Sequence, residues 1–202
     1  ETIAMRKMIF TAALSLALLV SSLAISAEPT RALIIEGQNN HGVWPKTSKM
    51  MKGYLEQTKL FEVEIISTIA KGPDPDFLPR YSHYGLDISN YNGAAWPAET
   101  QLAFVEYVRG GGGFVVVHAA NNAFRDWDEF NDIIGLAWRP GNQGKAVKID
   151  PKTGRTFVDE GNANNSGHGS KHPFQVTVRQ PNHPVMKGLP PQWMHGKDEL
   201  YH

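Results

Sequence analysis

GGGGFVVVHAANNAF, residues 110–124, is the stretch on which the fold turns. Gly110 to Gly113 end one element, Phe114 to Val117 form an unbroken apolar run, and His118, Asn121 and Asn122 follow at once. A short apolar run between turn-forming residues predicts a strand buried on both faces, as in a parallel sheet covered by helices. The glycines precede that strand, whereas a dinucleotide fingerprint follows a strand and opens a helix. They predict a helix stop. His118 and the asparagines then stand at the carboxyl end of a strand, where open α/β sheets bind their ligands.

Outward from this stretch the chain alternates strand and helix. Arg31 to Glu36 (RALIIE) predicts a first strand, running into GQNNHG, and a helix follows from about Lys46 to Lys59 with Met50, Met51, Tyr54 and Leu55 on one face. Phe61 to Ile66 alternates as a second strand, and the proline-rich segment Lys71 to Pro79 is a loop. Leu86 to Ser89 is a third strand, entering Asn90-Tyr91-Asn92-Gly93. Trp96-Pro97 starts a helix, with Pro97 in its first turn and Leu102, Val105 and Val108 on its inner stripe. A short helix spans about Asp126 to Ile134. This order predicts a doubly wound, mostly parallel α/β sheet. After Gly135 the texture changes. Lys145 to Ile149 and Arg155 to Val158 predict a surface hairpin, Gly161 to Ser170 a loop, and Phe174 to Val178 another strand. Nothing from Trp193 to His202 predicts a closing helix or strand.

Residues 1–27 stand apart. Met5-Arg6-Lys7 is a basic start, Met8 to Val20 is almost wholly apolar, and small residues precede Glu28-Pro29. That is the pattern of a secretory signal peptide, with Glu1 to Ala4 as a remnant ahead of Met5. The alternative is a membrane anchor, but the apolar core falls short of the ~20 residues a span needs. A periplasmic or secreted protein with no stable anchor after cleavage is the expectation, leaving 28–202 as one α/β domain. Formal net charge is zero, and no basic stripe points to nucleic acid. The chain has no cysteine, which excludes a thiol nucleophile, disulfides and a Cys-ligated zinc.

Three strand ends carry similar polar text: GQNNHG, SNYNG and HAANN. Parallel strands would bring them to one edge, with His41, His118, Asn39, Tyr91, Asn92 and Asn121 as the candidate lining. Asn both donates and accepts hydrogen bonds, as sugar hydroxyls do, so the edge suits a neutral polyhydroxylated ligand better than a phosphate. Plain turn chemistry is the alternative for each loop taken singly. Eight histidines raise the question of a divalent metal, with His168, His172, His183, His195 and the pair Asp198-Glu199 in the second half. No ligand spacing on a helix supports it, and ordinary loop hydrogen bonds remain the alternative. Asp198-Glu199 is either the acid/base of the crevice or a solvated charge pair.

RALIIEGQNNHGVWPKT, SNYNGAAWPAETQLAFVEYVRGGGGFVVVHAANNAF, NHPVMKGLPPQW and KDELY, in that order, resemble the ThuA-like family, named for trehalose utilisation. The resemblance implies a flavodoxin-like fold similar to class I glutamine amidotransferases. Those enzymes keep a cysteine at the sharp turn where His118 stands here, so glutamine hydrolysis through a thioester is excluded. It also implies carbohydrate metabolism, especially of 3-keto glycosides, in which a carbonyl acidifies the neighbouring C–H. On that basis His118 is the expected acid/base or ligand, with Asp198 and Glu199 as the carboxylates. Isomerisation, elimination and hydrolysis stay open, as do a non-catalytic sugar-binding domain and a metal-dependent hydrolase. The family continues past DELY, so the chain is expected to be incomplete at its C-terminus. Tyr81 to Asp87 departs from the clean apolar strand the family would carry.

Overall fold

The computed structural model describes residues 28–68, 81–139, 141, 144–159 and 166–201. The signal pattern at 1–27, the proline-rich loop at 71–79 and residues 161–165 of the loop expected from Gly161 to Ser170 lie outside the described residues. Among those described, no helix is long and apolar enough to cross a membrane.

Four parallel strands form the sheet: β1 (Thr30–Gly37), β2 (Phe61–Ser67), β3 (Leu86–Tyr91) and β4 (Gly113–Val116). Their spatial order is β2-β1-β3-β4. That is the order of a flavodoxin-like sheet, in which the chain reverses direction beside β1 and opens a crevice there. Helix α1 (Trp44–Gln57) lies between β1 and β2, α2 (Ala98–Arg109) between β3 and β4, and α3 (Asp128–Ile134) follows β4. Two antiparallel pairs complete the described chain: β5 (Ala146–Ile149) with β6 (Thr156–Asp159), and β7 (His172–Thr177) with β8 (Gln192–Asp198).

The central strand explains the two-layered core. Successive side chains of β1 point to opposite faces. Leu33 and Ile35 join Tyr91, Trp96, Phe104, Phe124 and Phe130 on one side. Ala32 and Ile34 meet Val63 and Ile88 on the other, where Met51 and Leu55 of α1 pack against them. The strand buried on both faces is therefore β1, not β4. Val115 of β4 is 46% exposed, because α1 packs over β2 and β1 and does not reach two strands further.

Several helix faces also turn out rotated from the pattern expected. In α1 the buried residue is Ser48, while Met50 and Tyr54 face solvent. In α2 the inner face is Thr100, Phe104 and Val105, and Leu102 is 58% exposed. Pro97 sits at the N-cap rather than inside the first turn. The aromatic pile around Phe104 sets that rotation. Its ring meets Trp96, Phe114, Trp127 and Phe130 at centroid distances of 4.8 to 6.1 Å. Aromatic groups bury more area than a leucine of the same helix and win the inward position. The tail is also more ordered than expected, since β8 pairs with β7 and an isolated bridge joins His168 to Tyr201.

Gly37 ends β1 at φ +137°, and a Cβ there would lie 2.1 Å from the Thr68 carbonyl oxygen. Backbone strain and a clash with main chain act together at this position. Gly37→Ala is expected to lower stability by roughly 2 kcal/mol or more, read as a shift in denaturant midpoint at unchanged slope.

Candidate active site

Three of the four non-glycine residues with positive φ cluster at the carboxyl edge of the sheet. They are Gln38 (φ 50°), His118 (φ 47°) and Phe124 (φ 52°). Such backbone conformations cost energy and persist where surrounding structure holds them, which points to function. His118 is the first residue of a 3-10 turn, His118–Asn122, that leaves β4 directly. A strained strand-to-helix turn that lifts one side chain above the sheet edge is the device of nucleophile elbows.

Arg139 holds this turn from below. It is 8% exposed and donates to the carbonyls of Asn121 at 2.8 Å and Ala123 at 3.0 Å, and from Nε to Oδ1 of Asn131 at 3.1 Å. The guanidinium fork suits such a task, since its donors are fixed in one plane. Among the described residues the side-chain amides of Asn121 and Asn122 have no protein partner, so both can meet a ligand.

The loop after β1 brings a second imidazole. The rings of His41 and His118 lie 4.6 Å apart, centroid to centroid. Asn39 fixes that loop: its Oδ1 accepts from the His41 backbone N–H at 2.9 Å, and its Nδ2 donates to Oδ1 of Asn90 at 3.2 Å. Asn90, buried in β3, donates in turn to Ser48 Oγ of α1 at 2.9 Å. Asn92 ties the loop after β3 to the same place by donating to Oδ1 of Asn40 at 2.9 Å. The amides of Asn39 and Asn92 are thus loop crosslinks first. Tyr91, expected as a sugar contact, is not one. It is 2% exposed, stacks on Phe124, and its hydroxyl donates to the Ala94 carbonyl at 2.6 Å. The strand's alternation points residue 91 into the aromatic layer.

The segment after β8 closes the crevice. Tyr201 stands edge-on to His118, with ring centroids 5.7 Å apart, and contacts His168 at 5.2 Å and Trp138 at 5.6 Å. Its hydroxyl donates to Oε2 of Glu199. Glu199 also lies 3.9 Å from Nε2 of His168 and 3.7 Å from Nζ of Lys171. Asp198 accepts from the Glu199 backbone N–H at 2.9 Å. Sequence reasoning reached Asp198 and Glu199, and named His168 only as a possible metal ligand, but it missed Tyr201, Trp138, Lys171 and Arg139. Tyr201 alone carried a local signal, two residues from Glu199 within KDELY.

Electrostatics favour a neutral His118. Partial burial lowers its proton affinity, the neighbouring His41 lowers it further, and Asp198 and Glu199 pull the other way. Glu199 is held below the usual carboxylate range, first by the Tyr201 hydrogen bond and then by His168 and Lys171. The same hydrogen bond pushes Tyr201 up to about 12. The result is a neutral imidazole beside an ionised carboxylate. An uncharged imidazole with a free lone pair is a general base. Among the described residues, no three His, Asp or Glu side chains converge to hold a metal ion.

The described sheet is flavodoxin-like, four parallel strands in the order β2-β1-β3-β4, with His118 on the turn that leaves β4. The family described as ThuA, trehalose utilisation, matches residues 31–202, and the chain belongs to it. A crystal structure of a ThuA-like protein from Parabacteroides merdae is similar at 41% identity and a TM-score of 0.79, covering 86% of this chain and 62% of that one. A ThuA-like protein from Bacteroides uniformis is similar in fold, at 21% identity and a TM-score of 0.56, over 87% of this chain and 62% of that one. The chain therefore spans less than two thirds of the length of both. No curated protein matches it.

Proposed function

We propose that this is an exported enzyme of carbohydrate metabolism that acts on a 3-keto glycoside, with His118 as general base. The observation that carries the reading is the elbow itself: a strained His118 with lowered proton affinity, 4.6 Å from His41 at the ligand-binding edge of the sheet. A carbonyl at carbon 3 makes the carbon 2 proton acidic. His118 takes that proton, and the electron pair moves onto the carbonyl oxygen to give an enediolate. His41 lies where it can donate a hydrogen bond to the developing oxyanion. Tyr201, pinned by Glu199, walls His118 on its other side, and the amides of Asn121 and Asn122 meet sugar hydroxyls. Reprotonation at another carbon gives an isomer. Loss of the group at carbon 1, with the electron pair forming a carbon 1–carbon 2 double bond, gives elimination. Export rests on the basic–apolar–small pattern of residues 1–27.

The test is turnover of a 3-keto disaccharide against its unoxidised parent, followed by NMR across pH. The keto sugar alone should be consumed. Because His118 binds its proton less tightly than a free imidazole, activity should persist on the acid side and fall only below the ordinary value of about 6.5. An acidic limb above that value, or equal consumption of both sugars, contradicts the reading. Saturable binding of the keto sugar without any product would assign a binding domain instead.

A further inference from the structure

Among the described residues Arg139 is the only buried cationic side chain. A guanidinium carries five N–H donors and no acceptor, and here all five are used. Nη1 donates to the carbonyls of Asn121 at 2.8 Å and Trp138 at 2.9 Å. Nη2 donates to the Ala123 carbonyl at 3.0 Å and to Oδ1 of Asn131 at 2.5 Å, which also accepts from Nε at 3.1 Å. No carboxylate is among these partners. Burial and then Arg125 lower the proton affinity of Arg139, and Asp126 opposes them only at longer range. A buried charge held by neutral acceptors is weak evidence for stability. What the guanidinium supplies is geometry, a rigid planar fork that fixes two carbonyls of the elbow and an amide of α3 in one frame. The main chain of Arg139 joins the opposite wall of the crevice. Its N–H donates to Ser166 Oγ at 3.2 Å, and the Ser166 N–H donates to the Arg139 carbonyl at 3.4 Å. Ser166 leads into His168, and the ring of Trp138 lies 6.4 Å from His168 and 5.6 Å from Tyr201.

We propose that Arg139 is the positioning residue of the site: its fork keeps His118 in the left-handed elbow and, with Trp138, sets the spacing between His118 and Tyr201. The proposal rests on His118 as the general base and adds the residue that orients it. Arg139 makes no hydrogen bond to His118 and acts through the carbonyls of Asn121 and Ala123. His41, Tyr201, Asp198 and Glu199 are the groups that face the imidazole. Without the fork the turn relaxes from φ 47°, the imidazole moves into water, and its proton affinity returns to that of free histidine.

The experiment follows the imidazole proton resonances by NMR across pH in the parent, Arg139→Lys and Arg139→Ala, well below each melting transition. The His118 signal is the one that His118→Asn removes. In the parent its midpoint should lie below about 6.5, and in both variants it should move up to about that value. Turnover of a 3-keto glycoside should fall about a hundred-fold in both, the loss that a small misplacement of a catalytic group causes. Lysine keeps the charge without the fork, so it should not restore either readout. Guanidinium ion at millimolar concentration should return both readouts toward the parent in Arg139→Ala alone. A residue that serves only the fold lowers the melting temperature and leaves the His118 midpoint where it is in the parent. That result overturns the proposal, as does unchanged turnover in Arg139→Lys, or no response of Arg139→Ala to guanidinium. Variants that stay unfolded with guanidinium present overturn it too. A parent that leaves the keto sugar intact defeats the base reading, while the titration still decides whether Arg139 positions His118.

Discussion

His118→Asn is expected to lower turnover of a 3-keto glycoside by about a hundred- to ten-thousand-fold, the range a positioned general base contributes. Asparagine is the informative replacement because it tolerates left-handed backbone, and residue 118 sits at φ 47°. Alanine would add backbone strain to the loss of the imidazole. The asparagine variant should therefore melt as the parent does and still bind sugar, since the amides of Asn121 and Asn122 are untouched. Tyr201 loses one ring neighbour, His118 at 5.7 Å, but keeps its hydrogen bond to Glu199. A variant with full turnover and unchanged melting would remove His118 from the chemistry.

The second large effect concerns Asp87, at the opposite end of the sheet from the site. It points from β3 into the aromatic layer, is completely buried, and neither carboxyl oxygen has a hydrogen-bond partner among the described residues. The Tyr81 hydroxyl is near enough to pull against burial, yet no hydrogen bond of proper geometry joins them. Burial pushes the Asp87 carboxyl up from 3.8 to about 8. The sign follows from linkage. The folded state holds the proton more tightly than the unfolded chain, so this group's stabilising contribution is complete below 3.8 and is lost as pH rises toward 8. The interval corresponds to at most roughly 6 kcal/mol. Asp87→Asn has the same shape and no proton to lose. It should match the parent near the acid end of the window and exceed it in denaturant midpoint at pH 8. Parallel pH profiles for the two proteins would show that Asp87 is not protonated in the fold.

Asp87 also shows why part of the fold was hidden in the sequence. Tyr81 to Asp87 reads as a poor strand and Tyr81–His83 is a 3-10 turn, while the strand expected at Leu86 to Ser89 runs on to Tyr91 and is paired on both sides with Asp87 buried inside it. Tertiary burial overrode local polarity. β1 was legible because its apolar run is buried on both faces, and β4 was legible as a strand but misread in burial. Which of two similar apolar runs lies under helix α1 is a matter of sheet order, not of local pattern. Leu102 and Phe104 illustrate the same limit on a helix. Both are apolar, and only the aromatic neighbours decide which turns inward.

The site divides along a similar line. Parallel strand ends brought His41 and His118 together, as the repeated polar loops predict. The asparagines proved more varied, with Asn39 and Asn92 joining loops and the side-chain amides of Asn121 and Asn122 without a partner among the described residues, while Tyr91 lies in the core. Tyr201 meets His118 and His168 where the chain, after β8 pairs with β7, bridges to His168, and Trp138 contacts both Tyr201 and His168 there. A long-range pairing of that kind leaves no local periodicity to read.

Proton abstraction by His118 is tested most directly by NMR of a 3-keto glycoside in D₂O with the parent protein and with His118→Asn. Deuterium should appear at carbon 2, next to the carbonyl, with the parent and be largely absent with the variant. Equal deuterium uptake by both proteins, or consumption by the parent that neither adds deuterium to the sugar ring nor leaves a carbon 1–carbon 2 double bond, would contradict the account.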